Sequence, residues 1–148
     1  MTKKIKVYRV KSEEIRTLRH KALRQGKPFA TTKYQKDNEQ ETFHLACFEN
    51  KEIVSCATFY PEKKPEIKSK KAYRLRGMAT KEKHRKKGIG KEIMLTAFKI
   101  IKEKKGDLIW CNARLVAIDF YKKVGLKTTG NQFNISDIGP HYVMYKKL

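Results

Sequence analysis

The chain has 148 residues, 39% of them hydrophobic, and carries 36 Lys and Arg against 15 Asp and Glu for a net charge of +21. That length suits one domain and buries roughly 70% of the unfolded surface, so neither disulfide nor metal staples are required. No apolar run approaches the ~18 residues of a membrane-spanning helix, and the spaced clusters of Ile, Leu, Val and Phe argue against disorder.

Met1–Lys4 run into a strand-like segment with no apolar signal region, which gives a cytoplasmic expectation. Ile5–Val10 alternates as a strand does. Ser12 then offers an N-cap, with Glu13 and Glu14 in the favourable first turn. Ile15, Leu18 and Ala22 keep one face apolar, and Gly26 with Pro28 closes the helix. Residues 29–41 are polar and read as a loop or a short second helix. Thr42–Glu49 and Ile53–Tyr60 are rich in β-branched and aromatic residues and form a hairpin turning at Asn50-Lys51, where Asn tolerates positive φ.

Pro61–Lys71 is a charged, Pro-containing loop. Ala72–Ala79 is a strand interrupted by Gly77, and glycine inside a strand marks a bulge or a close backbone approach. Gly88–Lys104 places Ile89, Ile93, Met94, Ala97 and Ile101 at helical spacing, opposite a charged face. Leu108–Cys111 is a short apolar strand, which suggests burial on both faces. Ala117–Val124 is a helix stopped by Gly125, and Leu126–Thr129 and Tyr142–Tyr145 are two final strands. The order β-α-β-β-β-α-β-α-β-β describes a mixed α/β fold around one sheet, a single domain over residues 1–148. Cys47, Cys56 and Cys111 share no metal-ligand spacing and read as buried free thiols in a reducing compartment, with no metal site.

The charge excess is mostly lysine, which often decorates solvated faces, whereas arginine is the usual choice for bidentate recognition. A field of this sign attracts nucleic acid, anionic lipid or a phosphorylated small ligand. One segment focuses it. The strand ending near Thr80 leads through His84 into Arg85-Lys86-Lys87-Gly88-Ile89-Gly90, and the long helix follows at once. Two glycines beside a helix start let backbone amides converge where the helix dipole favours an anion. Lys81, Lys83, Arg85, Lys86, Lys87 and Lys91 surround that spot, making a diphosphate cradle built mostly of backbone. It is not a P-loop, because Gly90-Lys91 is followed by Glu92 and the earlier glycine is absent. Nor is it the dinucleotide fingerprint, whose third glycine is replaced by Ile93.

Arg85-Lys86-Lys87-Gly88-Ile89-Gly90 resembles the acetyl-CoA signature of the GCN5-related N-acetyltransferase (GNAT) family, Gln/Arg-x-x-Gly-x-Gly/Ala after the fourth strand. Tyr73–Ala79 resembles the family's fourth strand, and Tyr121 followed by Val124-Gly125-Leu126 matches its later helix end. The motif-level resemblance covers about residues 72–130. It implies an acyl-CoA N-acyltransferase fold, a mostly antiparallel central sheet flanked by helices. The implied activity is direct transfer of an acetyl group from acetyl-CoA to a primary amine through a tetrahedral intermediate, with the acceptor open. It further implies that Met78, Ala79 and Thr80 line the pantetheine arm, with an amide near Met78 as oxyanion donor. Arg85, Lys86, Lys87, Gly88, Ile89, Gly90 and Lys91 would hold the phosphates, and Asn112 would contact the arm. Tyr121 matches the general acid that protonates the departing thiolate.

Two positions depart from the family pattern. Arg114 stands seven residues before the tyrosine, where many members have Asn, and could reach a CoA phosphate or an acidic substrate. The strand Leu108–Cys111 lacks the carboxylate base of some members, which leaves water, Glu41, His44, Asp137 or His141. Two other readings stay open, a catalytically weak CoA-binding sensor and a basic nucleic-acid-binding module. The aromatics sit mainly inside apolar strands rather than among exposed Lys and Arg, so no stacking platform is evident and nucleic acid is not the expected partner. No membrane partner is expected, and a homodimer is left open.

Overall fold

Period-2 and period-3.6 patterning resolves into seven strands and three helices in the expected order. They are β1 (Tyr8–Val10), α1 (Ser12–Leu23), β2 (Phe43–Glu49), β3 (Glu52–Pro61), β4 (Ala72–Thr80), α2 (Ile89–Glu103), β5 (Leu108–Arg114), α3 (Ile118–Lys123), β6 (Lys127–Ile135) and β7 (Gly139–Lys147). The computed structural model describes residues 5–148, so the signal-region reading of Met1–Lys4 lies outside the described residues. The strands form one sheet in the order β1-β2-β3-β4-β5-β7-β6. Of its ladders, β4–β5 is parallel, while β1–β2, β2–β3, β5–β7 and β6–β7 are antiparallel. This is the mixed, mostly antiparallel sheet anticipated.

By their internal contacts the residues group into two compact units, Met1–Tyr60 with Arg76–Ala97, and Pro61–Leu75 with Phe98–Leu148. In the first, α1 buries Ile15 and Leu18 against Ala46, Cys56 and Ala79. The helix does not begin as the sequence suggested. Lys11 takes the N-cap position, because the Glu14 carboxylate accepts the Lys11 amide at 2.7 Å. Ser12 is buried instead and donates to Asn38 Oδ1 at 3.1 Å. The first strand is also shorter than expected, starting at Tyr8 rather than Ile5. The hairpin turns where predicted, and both Asn50 (φ 49°) and Lys51 (φ 68°) adopt left-handed backbone, as the right-handed strand twist requires. Residues 29–41 supply a single 3-10 turn at Phe29–Thr32 followed by hydrogen-bonded turns, not a second α-helix.

In the second unit, β5 buries Leu108, Ile109, Trp110 and Cys111, as its apolar run implies. Ala72, Leu108 and Trp110 form a core, with Ile67, Val143 and Tyr145 packed on it. Trp110 Nε1 donates to the Glu62 carbonyl at 2.8 Å, and Asp107 accepts the Lys70 and Lys71 amides at 2.7 and 2.9 Å. These bonds tie the charged Pro61–Lys71 loop down. β6 and β7 are nine residues each, longer than the four-residue strands read from sequence. Most of β6 is exposed and polar, so it carries no alternation to read. No helix among the described residues is long and apolar enough to cross a membrane.

Candidate active site

The predicted residues fall in both units. In the first, Lys86 (φ 62°) and Gly88 (φ 81°) are left-handed and turn the chain sharply into α2. Among the described residues a Cβ at Gly88 would meet only Ile5 Cδ1 at 4.0 Å, and the positive φ is what calls for glycine there. The consequence is on the amides. From Lys86 to Lys91, six consecutive backbone N–H groups donate to no acceptor among the described residues. A helix start always leaves amides unsatisfied, but here the loop before it adds more in the same place. Arg85, Lys86, Lys87, Gly88 and Lys91 are exposed. The approach to this loop is pinned: Arg85 Nε donates to the Thr80 carbonyl at 3.2 Å, and His84 Nε2 donates to Glu49 at 2.6 Å.

Upstream, Met78, Ala79 and Thr80 end β4. Ser55 Oγ donates to the Ala79 carbonyl at 3.2 Å and accepts from the Thr80 hydroxyl at 2.8 Å, which fastens this end to β3. Gly77 has φ 66°, a left-handed backbone inside the strand, and of the two readings its sequence position allowed the close approach is the one seen. What approaches it is Tyr34. An added Cβ would lie 2.9 Å from Tyr34 Cε2 and 3.2 Å from Arg19 Nε, so no side chain fits.

Under Tyr34 lies a buried polar cluster. Arg19 is fully buried, pairs with both oxygens of Asp37 at 2.7 and 2.9 Å, and donates to the Thr32 carbonyl and Thr58 Oγ1. Its Cζ stacks 3.9 Å from the Tyr34 ring centroid. His44 Nε2 faces the Asp37 carbonyl at 2.9 Å and must be the protonated nitrogen, since a carbonyl only accepts. Nδ1 then accepts from Thr58 at 2.8 Å. Burial pushes the Asp37 carboxyl up, but hydrogen bonds from Arg19 and the Tyr34 amide outweigh it and leave the pKa below 3.8. Burial, only partly offset by the Asp37 carbonyl and charge, holds His44 below 6.5.

In the second unit, the β4–β5 ladder joins Ala72–Arg74 to Leu108–Trp110. Further along β5, the Asn112 side-chain oxygen is buried and has no hydrogen-bond partner among the described residues. Arg114 ends the strand, half-buried, opposite His141 on β7. Tyr121 is 6% exposed, stacks edge-on against Phe120 at 5.1 Å, and its hydroxyl bonds to no described residue. Burial pushes its pKa well above 10, the nearby Cys111 adds to this, and the Arg114 charge opposes it. All three cysteines are free and buried. Burial raises the Cys111 thiol to about 12 despite Arg74, so it is no nucleophile at neutral pH.

Comparison with known proteins decides the class. The model of the acetyltransferase (GNAT) family matches residues 12–126. The uncharacterized N-acetyltransferase YitI of Bacillus subtilis strain 168 is 36% identical over 144 residues, 97% of each chain. This chain belongs to the acetyltransferase (GNAT) family. The fold recurs in the NatC complex bound to Gag peptide and CoA, at TM-score 0.77 and 13% identity over 99% of each chain. It recurs also in an aminoglycoside 6'-N-acetyltransferase complexed with coenzyme A, at TM-score 0.76 and 13% identity over 96% of each chain.

As an acetyltransferase the chain needs a route for the amine proton, and the base candidates now separate. His44 spends both nitrogens inside the buried cluster. His141 is 3% exposed and bonds the Gly139 carbonyl through Nδ1 at 2.8 Å. Glu41 and Asp137 are exposed and each has an interaction of its own. Sequence reasoning missed Tyr34 and the cluster beneath it. Gly77 was the available signal, but it announces that something approaches without saying what.

Proposed function

We propose that residues 1–148 work as one N-acetyltransferase domain, moving an acetyl group from acetyl-CoA directly to a primary amine through a tetrahedral intermediate. The observation that carries this reading is the run of six amides from Lys86 to Lys91 that donate to no described residue, among exposed lysines. A diphosphate fits such a loop: its oxygens accept from fixed amides, the helix dipole favours the charge, and Arg85, Lys86, Lys87 and Lys91 complement it. Gly88, Ile89 and Gly90 let it approach the backbone. The buried, partnerless Asn112 oxygen suits an amide N–H of the pantetheine arm, and Arg114 a phosphate or an acidic group. Met78, Ala79 and Thr80 would line the same arm through their backbone. The two relatives crystallised with CoA support the same cosubstrate.

The chemistry asks two things of the protein. As the amine nitrogen bonds to the thioester carbon, the carbonyl oxygen gains charge, and the Met78 amide is the donor assigned to it. When the intermediate collapses, the carbon–sulfur bond breaks with its electron pair on sulfur, and Tyr121 delivers the proton. Its raised pKa keeps that proton in place at neutral pH. The amine proton leaves to water or to an exposed carboxylate, Glu41 or Asp137, since His44 and His141 are buried. Three free buried thiols suit a reducing compartment and support a cytoplasmic location.

The test is acetyl-CoA turnover across a panel of amines, with Tyr121→Phe beside the wild type. The substitution keeps the ring's packing, so melting temperature and CoA affinity should hold while kcat falls by one to three orders of magnitude, roughly the general-acid range. Normal kcat in a chemistry-limited assay would return Tyr121 to the core. Tight DNA binding at physiological salt without turnover would favour the nucleic-acid reading.

A further inference from the structure

We infer that the acceptor is an amine that also carries an anionic group, and that Arg76 beside the Tyr34 ring binds that group. This rests on the acetyl transfer proposed above and adds the acceptor's chemical class to it.

Three arginines near this part of the first unit are spoken for and Arg76 is not. Arg19 is neutralised by Asp37. Arg16 donates to Thr32 Oγ1 at 2.9 Å and the Phe29 carbonyl at 3.3 Å, and Arg85 donates to Thr80. Arg76 has neither an ion pair nor a hydrogen bond to any described residue. It is nevertheless half-buried and held in place, with its Cζ 4.1 Å from the Tyr34 ring centroid. A guanidinium lying over the ring keeps its N–H fork free, and that fork is the group that recognises carboxylates and phosphates. A partly desolvated cation without a counter-ion is costly, and an anion brought by a substrate removes that cost.

The surroundings narrow the choice further. Arg19 also stacks on Tyr34, but Asp37 cancels its charge inside the cluster, so Arg76 is the uncompensated cation at this ring. The Tyr34 hydroxyl bonds to no described residue and stands beside Gly77, a neutral donor next to the cation. Arg76 lies two residues before Met78, whose amide is assigned to the thioester oxygen. A polycationic acceptor would meet Arg76, and a chain of net charge +21, with like charge.

The experiment compares matched amines on the wild type with saturating acetyl-CoA: each amino acid against its decarboxylated amine, and phosphoethanolamine against ethanolamine. The preferred acid-bearing amine should exceed its neutral partner in kcat/KM by at least about tenfold, and which pair shows the preference tells carboxylate from phosphate. Arg76→Gln should remove most of that preference, a loss of about tenfold or more in kcat/KM for the acid-bearing amine, mainly through KM, as for loss of a charged hydrogen-bonded contact. Arg76→Lys should restore part of it, and an unchanged acetyl-CoA affinity reports that both variants are folded. Neutral amines turned over as well as or better than their acidic partners would overturn the inference while leaving acetyl transfer standing. A preference unchanged in Arg76→Gln would also overturn it. Turnover of no amine would overturn both.

Discussion

Two polar regions of the first unit, the Lys86–Lys91 loop and the cluster around Arg19, solve opposite problems. In the cluster, Arg19, Thr32, Asp37, His44 and Thr58 answer one another, across as many as 39 positions of sequence, and only the Arg19 Nε goes without. In the loop the six amides in a row donate to no described residue, among exposed lysines. A closed set of hydrogen bonds holds structure together. An open one, shaped by left-handed backbone at Lys86 and Gly88, leaves its donors for the ligand proposed above.

If that contrast is right, breaking the cluster should cost stability and leave the loop's function alone. Asp37→Ala strands a buried arginine and should destabilise the protein by about 3–5 kcal/mol, as other broken buried pairs do, lowering Tm by about 10 °C. Acetyl-CoA affinity of the remaining folded protein, measured in the cold, should be unchanged. A variant that melts like the wild type would remove the cluster from the structural account.

A smaller effect follows from pH. In the folded protein His44 resists its proton and in the unfolded chain it titrates near 6.5, so its share of stability is full above 6.5 and declines as pH falls through the folded value. Asp37 acts in the same sense lower down, its share being present above 3.8 and lost as pH falls through its depressed folded value. Denaturant titrations at pH 7.5 and 5.5 should show the wild type losing stability on acidification. His44→Gln should lose less, by at most about 1.4 kcal/mol, the linkage for one pH unit below the unfolded pKa. Equal losses in both proteins would mean that the cluster accommodates the imidazolium.

The same contrast explains what the sequence could reveal. Element order was legible because apolar spacing is local: Ile93, Met94, Ala97 and Ile101 announce a helix on their own, and all four are fully buried. The loop was legible for the same reason, since its glycines and lysines are neighbours in the chain. Tyr34 and Asp37 were not, because a polar segment reveals its partners only once β3 and β4 bring Thr58 and Gly77 alongside. Ser12 misled as a cap because Glu14 reaches back to the Lys11 amide and frees the serine to bond Asn38. The length of β6 was hidden by its exposure, for a strand that buries little leaves no pattern.

The claim on which the rest depends is that backbone amides between Lys86 and Lys91 hold the diphosphate. Calorimetric titration with acetyl-CoA, on wild type and Gly88→Glu side by side, tests it most directly. A Cβ has room at Gly88, so the glutamate changes the local backbone conformation and sets a carboxylate among the amides without a packing clash. Binding to the wild type should be micromolar, and a variant that still folds cooperatively should show none. Equal affinity in that folded variant would contradict it.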